Sequence, residues 1–307
     1  MVTKRMKTAF LFPGQGSQYI GMGREFFEKF EVSKGIFNKA DSDLGFKLSD
    51  SCFNGPEDIL KSTENAQPAI LIVSIAIFEI VKDMVKPDVV AGHSLGEYSA
   101  LVASGSLSFS DAVKIVRIRG EFMKSASGGT MAAVLMLPRD KVNEICVIAS
   151  KIGLVTPANF NSPGQIVVSG EKCGVNEVCK LAKANGGKAI PLAVSGPFHS
   201  PLMKPAQDKL ANELASININ DPKTGFIANV TADYVKDGKT VKDLLIKQVV
   251  SAVLWEDSVN RMIKDGVELF VEGGPGKVLS GLIKKIKKDT KVYNIENVET
   301  LEAFESS

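Results

Sequence analysis

The chain has 307 residues, 44% of them hydrophobic and 23% charged, enough apolar material for one large domain or two ordinary ones. Its 37 lysines and arginines nearly balance 35 aspartates and glutamates, so no field of one sign marks nucleic acid or an anionic membrane as its partner. Four cysteines without a C-x-x-C pair and only two histidines exclude a metal cluster at recognisable spacing, and no uncharged run reaches the roughly 18 residues of a membrane-spanning helix. The expectation is a reduced, soluble, cytoplasmic protein.

The basic start, 1–7, is followed by an apolar stretch, 9–12, that is too short for a signal peptide. That stretch reads as a buried strand over 8–12 running into the glycine-rich loop Gly14-Gln15-Gly16-Ser17-Gln18, with a helix after it. Beyond a variable region around 41–63, the spacing predicts a core helix over 67–85. A short strand over 88–91 leads through Gly92-His93-Ser94-Leu95-Gly96 into a helix over 97–103. A further helix covers 109–124, with Ser110 as its N-cap.

From Gly128 the rhythm becomes strand 131–135, helix 139–151, strands near Val155 and over 165–169, helix 171–184 and strand 189–194. This β-α-β-β-α-β order is the ferredoxin-like motif, inserted within a parallel α/β pattern. The expected division is a catalytic domain of 1–127 and 196–307 with a ferredoxin-like subdomain of 128–195. The larger pattern resumes with helix 202–215, strand 226–230, helix 241–253, strand 269–272 and the loop Gly273-Gly274-Pro275-Gly276 before another helix. The lysine run 284–288 reads as the solvated end of that helix, complementing its dipole, rather than as a docking patch.

Gly92-His93-Ser94-Leu95-Gly96 matches G-x-S-x-G between a strand and a helix, the setting in which a tight turn exposes a nucleophilic serine. The Leu95 N–H at the helix start can then face a developing oxyanion, and the Gln15 turn can supply a second donor. A serine hydroxyl needs a base. His93 adjoins Ser94, and neighbouring side chains at such a turn point apart, so elimination leaves His199, in the irregular loop 195–201. No acid stands out as a third member, which leaves a backbone carbonyl or an amide to orient the imidazole. Arg119 falls among Ile115, Val116, Phe122 and Met123 on the apolar face of its helix, whereas Arg117 shares the opposite face with Lys114, Glu121 and Lys124. A guanidinium on a buried stripe calls for an anion, either an internal carboxylate or, beside a nucleophilic serine, a carboxylate of the substrate. The Gly14 loop lacks the spacing of a nucleotide-binding motif.

With these segments in order, and with 158–165 and 272–277 besides, the chain resembles the malonyl-CoA:acyl-carrier-protein transacylase family over nearly its whole length. That resemblance implies an α/β-hydrolase-like core with a parallel sheet and an inserted ferredoxin-like subdomain. It implies Ser94 as the acylated nucleophile, His199 as base, the backbone amides of Gln15 and Leu95 as oxyanion hole, and Gln248 as the residue whose carbonyl orients the histidine. Arg119 matches the arginine that grips the malonyl carboxylate, and His93 and Asn161 belong beside the substrate. Leu95 and Phe198 resemble members that accept malonyl rather than methylmalonyl units. The implied partners are malonyl-CoA and the phosphopantetheine thiol of acyl carrier protein, with no bound cofactor, metal, nucleic acid or membrane, and a monomer is expected. Ala252 stands where the family usually has proline. The rival readings are a thioester hydrolase on the same scaffold, a non-catalytic binding protein, and an acyltransferase serving a polyketide synthase.

Overall fold

The computed structural model describes residues 5–126, 128–194 and 196–306; residues 1–4 of the basic start and Ser195 of the histidine loop lie outside them. Ten strands are defined among the described residues: β1 Thr8–Phe12, β2 Val89–Gly92, β3 Gly129–Leu135, β4 Val155–Ser162, β5 Gln165–Glu171, β6 Lys188–Pro191, β7 Gly225–Ala228, β8 Asp233–Val235, β9 Leu269–Gly273 and β10 Lys291–Ile295. They form two sheets, ordered β10-β9-β1-β2-β7-β8 and β4-β5-β3-β6.

The larger sheet is parallel from β10 to β7, with β8 antiparallel at its edge. A parallel sheet is covered by helices on both faces, so its strands read as unbroken apolar runs rather than alternating ones. Every residue of β1 is buried: Phe10 and Phe12 face one core with Phe78, while Ala9 and Leu11 face the other with Trp255 and Phe270. The first core is built on the helix Thr63–Val85, whose apolar residues are buried almost all round. No helix of the described residues is long and apolar enough to cross a membrane.

The smaller sheet is antiparallel, with β3 between β5 and β6. The helices Arg139–Ala149 and Lys172–Ala184 share a separate apolar cluster with it, around Val142, Ile145, Val168 and Val178. The chain is thus an α/β protein with a parallel core and a ferredoxin-like antiparallel unit.

Several expectations need correction. Ser108, not Ser110, caps the helix Phe109–Ser125, its hydroxyl accepting the Asp111 N–H at 3.1 Å. The region around 41–63 read as variable holds the end of the helix Glu31–Leu44 and the helices Leu48–Asn54 and Glu57–Lys61. The helix read over 241–253 is Gly238–Gln248. The apolar residues after it are drawn into strand-like pairing instead, since Val253 N–H donates to the Ala158 carbonyl and the Phe160 N–H to the Val253 carbonyl. A further helix, Trp255–Lys264, then packs Trp255, Val259 and Met262 under the sheet.

Candidate active site

The turn between β2 and the helix Gly96–Ala103 is made possible by its two glycines. A Cβ on Gly92 would lie 1.9 Å from the Gly96 carbonyl carbon, and one on Gly96 would lie 2.3 Å from the Phe12 carbonyl oxygen. Between them Ser94 takes φ 52, a left-handed conformation that costs an L-residue about 1–3 kcal/mol unless its surroundings impose it. Its N–H donates to Asn229 Oδ1 at 2.8 Å, and its carbonyl accepts from Gln248 Nε2 at 2.9 Å.

Ser94 Oγ lies 2.7 Å from His199 Nε2, and His199 Nδ1 lies 2.9 Å from the backbone carbonyl of Gln248. A carbonyl can only accept, so Nδ1 carries the proton and Nε2 is left to take one from the serine. The orienting group is therefore a carbonyl, which resolves the alternative left open by the missing acid. Burial and then the charge of Arg119 push His199 down to about 3, which keeps the imidazole neutral.

Arg119 is 1% exposed, on the buried face of its helix. Its Nη1 donates to Gln67 Oε1 at 2.5 Å, and its Nη2 to Gln248 Oε1 at 3.0 Å and to Ser94 Oγ at 3.2 Å. Among the described residues its Nε has no hydrogen-bond partner, and the guanidinium forms no ion pair. The charge is thus met by amides, a hydroxyl and the Tyr98 ring, 5.7 Å away, rather than by an anion. Arg117, as its position on the wheel predicts, pairs outward with Glu121.

Ser94, His199 and Arg119 line a cavity of about 330 Å³ at the carboxyl ends of β1 and β2, the end at which open α/β sheets bind ligands. Gln15, His93, Leu95 and Phe198 line it too, while Met131, Asn159 and Val194 wall it from the side of the smaller sheet. The backbone N–H groups of Gln15 and Leu95 make no hydrogen bond among the described residues. Asn161 does not line this cavity; it holds His93, whose Nε2 lies 2.9 Å from its Oδ1. The His93 ring is tilted against Trp255 and kept below its usual pKa by burial, and the serine hydroxyl is on His199 instead. Gln248 likewise acts from behind the cavity wall.

Three polar residues of the site escape the sequence reading. Gln67 and Asn229 carry no motif. Glu97 stands directly after the elbow, and its signal is an acid on the first turn of a helix whose other faces are apolar. Burial pushes its carboxyl up to about 8, against the pull of the Asn229 N–H, Arg119 and the Gln248 amide.

The acyl transferase domain family model matches residues 9–301. The chain is 51% identical over 291 residues to the malonyl CoA-acyl carrier protein transacylase of Bacillus subtilis (strain 168), covering 93% of this chain and 92% of that one. It is 45% identical over 291 residues to the enzyme of the same name from Staphylococcus aureus (strain MSSA476), covering 93% and 94%. Among solved structures, the malonyl CoA-acyl carrier protein transacylase of Clostridium perfringens superposes with a TM-score of 0.95 at 44% identity, over 98% of this chain and 96% of that one. A malonyl-transacylase in complex with a type II polyketide acyl-carrier protein superposes with a TM-score of 0.94 at 37% identity, over 98% and 100%. The chain belongs to the acyl transferase domain family, among its malonyl CoA-acyl carrier protein transacylases.

Proposed function

We propose that Ser94 carries the acyl group in an enzyme that transfers malonyl from malonyl-CoA to the phosphopantetheine thiol of acyl carrier protein, in fatty acid biosynthesis. The observation that carries this reading is the convergence of a base and a cation on one hydroxyl: His199 Nε2 at 2.7 Å and Arg119 Nη2 at 3.2 Å from Ser94 Oγ. His199 takes the hydroxyl proton as Oγ attacks the thioester carbonyl. The carbonyl oxygen becomes an oxyanion facing the free N–H groups of Gln15 and Leu95. The C–S bond then breaks, and His199 returns its proton to the departing thiolate. Transfer to the carrier repeats these steps in reverse, with the phosphopantetheine thiol as nucleophile.

Arg119 grips the malonyl carboxylate, turning from the hydroxyl, amides and unpaired Nε of the free site to a bidentate anion. Phe198, beside His199, fills the space a branched acyl group would need. The ferredoxin-like unit, 128–195, serves as a subdomain closing the cavity against the catalytic domain of 1–127 and 196–307. The enzyme is taken to act as a monomer in a reduced, cytoplasmic setting.

The test is coenzyme A release from malonyl-CoA with and without carrier protein. Transfer predicts release that stops at about one equivalent per enzyme without carrier and turns over once carrier is added. Continuous release without carrier would identify a hydrolase.

A further inference from the structure

Behind the cavity, a single carboxyl group holds both of the residues that clamp the elbow. Glu97 is 1% exposed, on the first turn of the helix after Ser94. Its Oε1 accepts the backbone N–H of Asn229 at 2.5 Å, and its Oε2 accepts the side-chain amide of Gln248. Those two residues grip the Ser94 peptide from opposite ends: Asn229 Oδ1 accepts its N–H, and Gln248 Nε2 donates to its carbonyl. Asn229 Nδ2 also donates to the Gly92 carbonyl at 2.7 Å, fixing the start of the turn. A left-handed serine persists only where its neighbours over-determine it, and these bonds are what over-determine Ser94.

Gln248 also reaches the base and the cation. The Gln248 backbone carbonyl orients His199, and its side-chain oxygen accepts from Arg119. A buried carboxyl is costly unless its oxygens find donors, and here each one does. Asn229 follows β7 and Gln248 ends the helix Gly238–Gln248, so one carboxyl ties two separate segments to the elbow.

We propose that Glu97 is a positioning residue for acyl transfer: through Asn229 and Gln248 it holds the strained Ser94 peptide and the His199-orienting carbonyl, keeping the serine hydroxyl on its base. This rests on the reading of Ser94 as nucleophile. A merely structural carboxyl would, when replaced, lower stability and leave each folded molecule as fast as before. Glu97→Gln keeps the size but turns one acceptor into an NH₂ that must face either the Asn229 N–H or the Gln248 amide.

The experiment measures single-turnover acylation of Ser94 by saturating malonyl-CoA and inactivation by phenylmethylsulfonyl fluoride, a small probe with no carboxylate for Arg119, both normalised to folded protein by circular dichroism. The expected result is a fall of about a hundredfold in both rate constants, the scale of a roughly 1 Å misplacement, with the half-saturating malonyl-CoA concentration moving less than about threefold. Asn229→Ala should do the same, and the double variant should fall less than about threefold below the slower single one, because both act on one clamp. Asn229→Ala carries the test alone if Glu97→Gln does not fold. Rates within about twofold of the parent for both probes, or losses that multiply in the double variant, overturn the proposal. A parent chain left unmodified at Ser94 by both probes overturns the nucleophile reading and this role with it. A parent modified there beside an equally fast Glu97→Gln overturns the role of Glu97 alone.

Discussion

Arg119 Nη2 lies 3.2 Å from the hydroxyl oxygen of Ser94, so the cation proposed to select the acyl group touches the atom proposed to receive it. An acyl chain with a terminal carboxylate can reach both groups at once; acetyl reaches only the serine. Arg119→Ala should therefore cut malonyl loading by about a hundredfold or more, the scale of a lost buried charge pair, and cut acetyl loading much less. Competition between the two coenzyme A thioesters measures this. A variant that still preferred malonyl would show that Arg119 does not bind the carboxylate.

The state of His199 sets the response to pH. Burial and Arg119 hold it at about 3 against an ordinary 6.5, so it remains a neutral base well below neutral pH. The kcat/KM for malonyl-CoA, measured from about pH 5 to 8, should show no acid limb centred on 6.5. Stability behaves differently. The unfolded chain accepts the proton near 6.5 and the folded chain only near 3, so stability is complete above 6.5 and is lost as pH falls through that window. Denaturant titrations should find that His199→Asn flattens the decline; His93, also held down by burial, keeps part of it.

The glycines of the turn can be separated from a glycine that has room. At Gly92 a methyl group would meet the Gly96 backbone at 1.9 Å, and backbone cannot step aside as a flexible side chain can. Gly92→Ala should yield little folded protein, and what folds should not acylate. Gly281 sits exposed in the helix Val278–Ile286 with nothing within 4 Å of its position, so Gly281→Ala should stabilise by about 0.5–1 kcal/mol and leave activity unchanged. Thermal melts of the two variants give the comparison, and a well-folded, active Gly92→Ala would contradict the packing described for the elbow.

Legibility in the sequence follows from how local each signal is. Ser94 is marked by the turn around it, His199 by the scarcity of histidine, and Arg119 by a charge on an apolar stripe. Gln248 has no such mark, because its backbone carbonyl is a group that every residue has. Glu97 and Asn229 meet only through the fold, 132 positions apart. The parallel strands are legible as apolar runs because both of their faces are covered. The edge strand β10 buries only Ile295 and shows no such run. The helix Glu31–Leu44 buries three residues and contains Gly35, leaving too thin a stripe to read as periodic.

Phe198 walls the cavity beside His199 and is almost fully buried. On the proposed reading Phe198 fills the space that the extra methyl of methylmalonyl would need, and Phe198→Ala opens it. The ratio of methylmalonyl to malonyl loading should rise by about tenfold or more, the scale of one methyl group in an apolar pocket. An unchanged ratio would place selection elsewhere in the cavity.

Intact mass spectrometry reads directly whether a malonyl group is held on Ser94 and passed to a carrier thiol. Enzyme mixed with equal malonyl-CoA and acetyl-CoA should gain one malonyl adduct that maps to Ser94 and is absent from Ser94→Ala. Phosphopantetheinylated carrier protein should then remove it and gain the same mass. An adduct that survives in Ser94→Ala would place the acyl group on another residue, and one that is lost to water before the carrier is added would make the enzyme a hydrolase.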